Sequence, residues 1–231
     1  AFVFNAKRNL EENENDVYVL VIGETSRADN WGLYGYERNT TPNLSTDSTL
    51  VVFRDALTQS NTTHKSVSII LSPASAENYD QIYSQKGILT AFEEAGFETV
   101  FLSNQARNHS FIEYFGDEAH HTEYFRDTES IVDQKDDILL DRIKYYIETT
   151  DKPTFIVVHT YGSHFNYGER YPRSFAQFMP DNFSAIEVAS RDNMVNAYDN
   201  SILYTDYILH EIKTLLENSN RKSAMLYLSD H

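Results

Sequence analysis

Residues 17–44 read VYVLVIGETSRADNWGLYGYERNTTPNL. The first seven are an apolar, valine-rich run without polar alternation, the pattern of a strand covered on both faces. The run ends at Gly23 and is followed at once by Glu24, then by Arg27 and Asp29. A carboxylate at the end of a buried strand is costly unless a cation or hydrogen bonds compensate it, so Glu24 is the first candidate functional residue. A plainer reading makes Glu24 the dipole partner of a following helix, with Thr25 and Ser26 as caps, Asp29 in the first turn and Arg27 on the surface.

Three further β-rich runs, ETVFLSN (98–104), PTFIVVHT (153–160) and SAMLYLSD (223–230), are equally short and bounded by polar or turn residues. Patterns of helical period lie between them. Residues 86–97 place Ile88, Leu89, Phe92 and Ala95 on one face, with Gly96 as C-terminal cap. Residues 136–149 repeat Ile138, Leu139, Ile143 and Ile147, and residues 193–218 continue such a pattern for longer. This alternation predicts an α/β fold: a mostly parallel central sheet with helices on both faces, and ligands outside the carboxyl ends of the strands. Glu24 follows the first strand, Ser103, Asn104 and Gln105 the second, His159 and His164 the third, and Asp230 and His231 the last. In a parallel sheet these groups share one edge.

The 231 residues suffice for one domain, expected to span 1–231. A formal charge of −16 repels nucleic acid and anionic surfaces, so no nucleic-acid partner is expected. With no cysteine, disulfides, thiolate metal sites and cysteine nucleophiles are excluded. No stretch approaches eighteen apolar residues, and the start, AFVFNAKRNLEENENDVY (1–18), is too short and too polar for a signal peptide or a span. Without cysteine, the Glu, Asp and His at the strand ends are the usual zinc ligands. The competing reading for each is a helix cap or a solvated loop end.

The string VIGETSRADNWGLYGYERNTTPNL resembles the signature of the lipid A phosphoethanolamine transferases, membrane-anchored members of the alkaline phosphatase and sulfatase superfamily. The resemblance recurs, in the family's order, at DALTQSNTTHKSVSIILS, VVHTYGSHFNYGERYP, YDNSILYTDYIL and YLSDH. It implies an alkaline phosphatase/sulfatase-like fold and a zinc-dependent enzyme, with manganese as the alternative metal. By resemblance Thr63, in THKSV, is the nucleophile, with Thr62 its rival. Glu24, Thr63, Asp230 and His231 are then the metal ligands. His164 matches a histidine that touches the phosphoryl group or a second metal, and Asn104, Gln105 and His109 fall where the family contacts phosphoethanolamine. The resemblance further implies a phosphatidylethanolamine donor, a lipid A or other surface glycan acceptor, and a monomer in the periplasm held at the bacterial inner membrane by a segment absent from this chain. Residues 1–16 are then the linker from that segment.

Zinc ligation is chemically apt, because a threonine hydroxyl is a poor nucleophile at neutral pH and His64 is the sole local candidate base in SNTTHKS. A coordinated divalent ion acidifies a hydroxyl and neutralises phosphoryl oxygens. Thr63 can equally begin a helix, with Ser66 and Ser68 exposed and Val67, Ile69 and Ile70 buried; the dipole then favours alkoxide and phosphate alike. His120, His121 and His210 read as surface residues and His159 as a core-edge residue.

Two departures accompany the resemblance. Many lipid A modifying members carry cysteine pairs that staple the domain, including one beside the nucleophile, where this chain has Gln59 and Ser60. The family pattern also runs on beyond the aspartate–histidine pair, so the chain is expected to be a catalytic domain cut at both ends. Alternatives are a phosphoglycerol transferase, a phosphatase or a sulfatase-like hydrolase of the same superfamily, and a non-catalytic binding domain. The sulfatase reading lacks the cysteine-x-proline-x-arginine context of formylglycine formation.

Overall fold

A computed structural model describes residues 2–9, 14–127 and 134–231. Residues 1 and 10–13 of the expected 1–16 linker lie outside the described residues. Five strands form one sheet: β1 (Val17–Gly23), β2 (Glu98–Ser103), β3 (His121–Tyr124), β4 (Thr154–His159) and β5 (Ser223–Ser229), in the order β3-β2-β4-β1-β5. Every pairing is parallel. The helices are α1 (Pro42–Ser45), α2 (Thr63–Leu71), α3 (Ile88–Glu94), α4 (Phe111–Gly116), α5 (Ile138–Thr149) and α6 (Arg191–Glu217).

The period of two along each strand divides its side chains between two cores. Val17, Val19, Val21, Val100, Leu102, Ile156 and Val158 pack with Leu139, Ile143, Ile202 and Ile208 of α5 and α6. Their neighbours Leu20, Ile22, Phe101, Phe155 and Val157 pack on the other face with Val67, Leu71, Leu89, Ile112 and Phe115 of α2, α3 and α4. Both faces are therefore covered, which is why the strands read as unbroken apolar runs. Each fully buried Ile, Leu or Phe contributes about 1.5–3 kcal/mol of transfer free energy.

The register fixes the functional edge. Ile22 lies opposite His159, Gly23 opposite Ser229, and Ser103 opposite His159. Glu24, Asn104, Thr160 and Asp230 consequently leave the sheet side by side. Strand β3 is absent from the sequence expectation because HTEY is short, polar and at the sheet edge, with its own residues exposed or half-buried.

The helix expected directly after Glu24 does not form. Two 3₁₀ turns, Ala28–Asn30 and Gly32–Tyr34, lead instead to the short α1. Gly35 adopts a left-handed φ of 101° and ends the second turn, and side chains of α6 hold the segment in addition to its own 3₁₀ bonds. Asp199, fully buried, accepts hydrogen bonds from Asn30 Nδ2 (2.9 Å), Tyr36 Oη (2.8 Å) and Arg38 (2.8 Å). Asp206 accepts from the amides of Asn43 (3.1 Å) and Leu44 (2.9 Å) at the start of α1. Asn200 accepts from the amides of Gln177 (3.0 Å) and Phe178 (2.9 Å). The YDN segment of α6 is thus a buried polar spine on which two loops of the functional edge are hung. These bonds satisfy side chains that burial would otherwise penalise.

Candidate metal centre

Glu24 and Asp230 emerge from adjacent strands, so their carboxylates approach each other below the surface, 1% and 0% exposed. Thr63 occupies the first position of α2, and Thr62 the preceding extended residue. Thr63 Oγ1 lies 3.3 and 3.2 Å from the two oxygens of Glu24 and 3.5 Å from His231 Nε2. His231 Nε2 is 3.6 Å from Glu24 Oε1 and 3.5 Å from Asp230 Oδ2. One donor atom from each of Glu24, Asp230 and His231 fits within a sphere of mutual distances under 4.8 Å. Thr63 therefore joins the group, whereas the exposed Thr62 hydroxyl is near that of Ser60 at 3.4 Å.

These spacings suit a tetrahedral ion. Nitrogen and oxygen donors about 2.0–2.1 Å from zinc are about 3.3 Å apart by geometry. The hydrogen-bond inventory agrees. Asp230 Oδ1 accepts from the amides of Thr25 (2.9 Å) and His231 (2.7 Å), whereas its buried Oδ2 has no hydrogen-bond partner. A buried carboxylate oxygen without a donor is expensive, and a cation supplies what is missing. Burial, and then the Glu24 charge beside it, push the Asp230 carboxyl above the ordinary aspartate range. Coordination would reverse that pressure. The residues present fit a zinc ion.

The surrounding groups fix the candidate ligands. Thr25 Oγ1 donates to Glu24 Oε1 at 2.6 Å. Gln105 Nε2 faces Glu24 Oε2 (3.2 Å), the Thr160 carbonyl (3.0 Å) and His159 Nε2 (3.1 Å). Thr58 Oγ1 donates to the Asp230 carbonyl at 2.6 Å, and Ser66 Oγ to the same oxygen. Ser66 and Ser68, expected on the exposed side of α2, are buried instead. Ser66 faces the Asp230 backbone and Ser68 donates to the His64 carbonyl at 2.5 Å, so each hydroxyl is satisfied internally. Ile70 is only partly buried. His64 is exposed, with Nδ1 3.4 Å from Asn108, and the Thr63 hydroxyl meets Glu24 and His231 rather than this ring.

The remaining candidates are dispersed. Gln105 reaches Glu24, but Asn104 is fully buried and its Nδ2 donates to Asp136 at 2.8 Å, behind the ligand group. Asp136 also accepts from the amides of Tyr161 and Gly162, both at 2.8 Å, so Asn104 helps to anchor the loop after β4. His109 is exposed, and its amide donates to Glu113 at 2.8 Å. His164 is exposed, stacked on Tyr161 at 5.0 Å, with Nδ1 2.6 Å from the Phe165 carbonyl. No described hydrogen bond joins His109 or His164 to the ligand group. His159 is buried at the core edge as its place in the strand suggests, and burial drives its pKa down to about 4. His120, His121 and His210 are at the surface.

Sequence reasoning passed over Thr58, Ser66 and the supporting bonds of Thr25. Their signal is weak, because a hydroxyl that serves a ligand carboxylate or its backbone looks like any turn or helix-cap residue.

Comparison with known proteins gives the family. The chain is 32% identical over 243 residues to the Kdo(2)-lipid A phosphoethanolamine 7''-transferase of Escherichia coli K12, an alignment covering 100% of this chain and 41% of that protein. The chain thus spans about two fifths of that curated relative. The C-terminal periplasmic domain of EcEptC from Escherichia coli, solved in complex with zinc, superimposes with a TM-score of 0.86 at 26% identity, covering 95% of this chain and 64% of that one. The soluble domain of lipooligosaccharide phosphoethanolamine transferase A from Neisseria meningitidis gives 0.84 at 30% identity, over 98% and 70% of the two chains. The α/β sheet is the alkaline phosphatase/sulfatase-like fold. Residues 16–231 match the Sulfatase family profile, and the chain belongs to that family.

Proposed function

We propose that this chain is the catalytic part of a zinc-dependent phosphoethanolamine transferase, with phosphatidylethanolamine as donor and lipid A or another surface glycan as acceptor. The observation that carries the reading is the Thr63 hydroxyl, 3.2 Å from Glu24 and 3.5 Å from His231 at a cluster of ligand-type donors. Zinc held by Glu24, Thr63, Asp230 and His231 would lower the pKa of the hydroxyl and offset phosphoryl charge. Manganese is the alternative occupant.

Thr63 Oγ1 forms a bond to the donor phosphorus while the bond to the diacylglycerol oxygen breaks. The hydroxyl proton leaves and the departing oxygen gains one, giving phosphoethanolamine-threonine and diacylglycerol. An acceptor oxygen then attacks the same phosphorus, and Thr63 recovers its hydroxyl. The first turn of α2 presents its positive end to the phosphoryl oxygens. Gln105, already bonded to Glu24, contacts the transferring group; His164 and His109 come to it from the exposed loops, and Asn104 acts through the loop that it anchors. Among the described residues no helix is long and apolar enough to cross a membrane. Residues 1–16 link this domain, 1–231, to an inner-membrane segment and hold it, as a monomer, in the periplasm.

Incubating the protein with phosphatidylethanolamine and, separately, phosphatidylglycerol, followed by peptide mass analysis, tests this reading. A phosphoethanolamine adduct on Thr63, lost in Thr63→Ala together with transfer, is expected. Appreciable transfer by Thr63→Ala removes this nucleophile, and an adduct from phosphatidylglycerol alone reassigns the donor.

A further inference from the structure

Thr25 is a β-branched residue with a φ of 50°, in the left-handed region that such residues rarely occupy. Strain of this kind persists where surrounding interactions over-determine the backbone. Here the backbone is gripped by Tyr198, whose hydroxyl donates to the Thr25 carbonyl at 2.7 Å and accepts from the Arg27 amide at 2.8 Å. The neighbouring Glu24 is gripped too, by the Ser163 amide, which donates to its carbonyl at 3.0 Å.

The left-handed turn has a specific consequence. It directs the Thr25 amide to Asp230 Oδ1 at 2.9 Å and the Thr25 hydroxyl to Glu24 Oε1 at 2.6 Å. One residue thus donates to both buried carboxylates, which come from different strands and repel each other. The amide occupies Oδ1 of Asp230 and leaves Oδ2 bare. The hydroxyl limits rotation of the Glu24 carboxylate. An extended conformation at residue 25 would point the amide and hydroxyl elsewhere.

We infer that Thr25 is a positioning residue that sets the two carboxylates for the metal, its strained backbone being the means by which both of its donors reach them. The inference rests on the metal reading of Glu24, Asp230 and His231. Hydroxyls and amides behind a ligand commonly govern metal affinity by about 10–100-fold, and Thr25 has the geometry for such an effect on two ligands at once. Its hydroxyl acts on Glu24 and its backbone amide on Asp230, so substitution of the side chain removes the first contact and leaves the second donor in the chain.

The test is zinc affinity of the purified protein by competition with a chromophoric chelator, alongside thermal unfolding of the metal-free form. Thr25→Val keeps the shape and removes the hydroxyl; Thr25→Gly removes the hydroxyl but accepts the left-handed φ without strain and guards against failure to fold. Both should bind zinc about 10–100-fold more weakly, and Thr25→Ser should stay close to the unsubstituted protein. A merely structural residue would change the unfolding temperature and leave the zinc affinity of the folded protein intact. Unchanged affinity in both Thr25→Val and Thr25→Gly overturns the positioning role of the Thr25 side chain, and with it the inference, while the metal site stands. Failure of the unsubstituted protein to bind zinc removes the metal site and the inference together.

Discussion

The phenol of Tyr198 donates to the carbonyl of Thr25 at 2.7 Å across 173 residues of sequence. It joins the longest helix of the structure to the loop that carries Glu24. Because the same oxygen accepts from the Arg27 amide, the tyrosine bridges both sides of the turn. Burial raises the Tyr198 pKa to about 12, so the phenol stays protonated and able to donate throughout the physiological range.

Tyr198→Phe should therefore destabilise the protein by about 1–3 kcal/mol, since two backbone groups lose their partner. Urea unfolding measures that loss. Zinc affinity should fall in the same variant, because the turn that orients Thr25 is no longer held. A Phe variant with the stability of the unsubstituted protein would show that water replaces the phenol.

Gly162 adopts a φ of 48°, and a Cβ built there would lie 2.9 Å from the Glu24 carbonyl oxygen and 3.0 Å from its amide nitrogen. Gly162→Ala should cost about 1–3 kcal/mol in backbone strain and also displace Glu24. Gly96, with a φ of 89° and open space around its Cβ, is the control. Gly96→Ala should lower stability without touching zinc affinity. Equal zinc affinities for the two alanine variants would dissociate the close approach of Gly162 from the ligand.

How far the sequence carried this picture depends on the scale of the interaction. The parallel sheet follows from VYVLVIG and TFIVVH, because burial on both faces forces a continuous apolar run. Convergence of Glu24 and Asp230 follows from that sheet, since a parallel register places strand ends together. Thr63 stands as the candidate nucleophile through family likeness in THKSV, not through the residues alone, which leave a helix cap equally open. The 3₁₀ turns after Glu24 were not legible, because Asp199 and Asp206, more than 160 residues away, hold that segment. The inward turn of Ser66 was hidden for the same reason: its partner is the backbone of Asp230.

Metal removal and a single amide substitution should move stability in opposite directions. Zinc held at this site would bind only the folded form, so chelation should lower the unfolding temperature; at zinc a hundredfold above its dissociation constant the stabilisation is about 2.7 kcal/mol. Asp230→Asn removes one of two buried, mutually repelling carboxylates. The metal-free Asp230→Asn protein should be as stable as the metal-free unsubstituted one or more so, yet gain nothing from zinc. A variant that zinc still stabilises fully would exclude Asp230 as a ligand.

His159 provides a pH dependence whose sign follows from its surroundings. Its Nε2 is 3.1 Å from Gln105 Nε2, a donor, so the neutral ring accepts there and Nδ1 carries the proton towards Ser103 Oγ at 3.3 Å. Protonation would set two donors face to face in a buried site, in keeping with a folded-state pKa near about 4, down from 6.5. Above pH 6.5 the ring is neutral in both folded and unfolded chains, and its full contribution is present. As pH falls from 6.5 towards 4, the unfolded chain takes up a proton that the folded one refuses, costing on the order of 2–3 kcal/mol of stability. Below about pH 4 both states are protonated and this loss stops growing. Urea midpoints of the metal-free protein between pH 7.5 and 4 should accordingly fall more steeply than those of His159→Gln. Parallel profiles for the two proteins would mean that the ring charges within the fold and that other groups govern the acid limb.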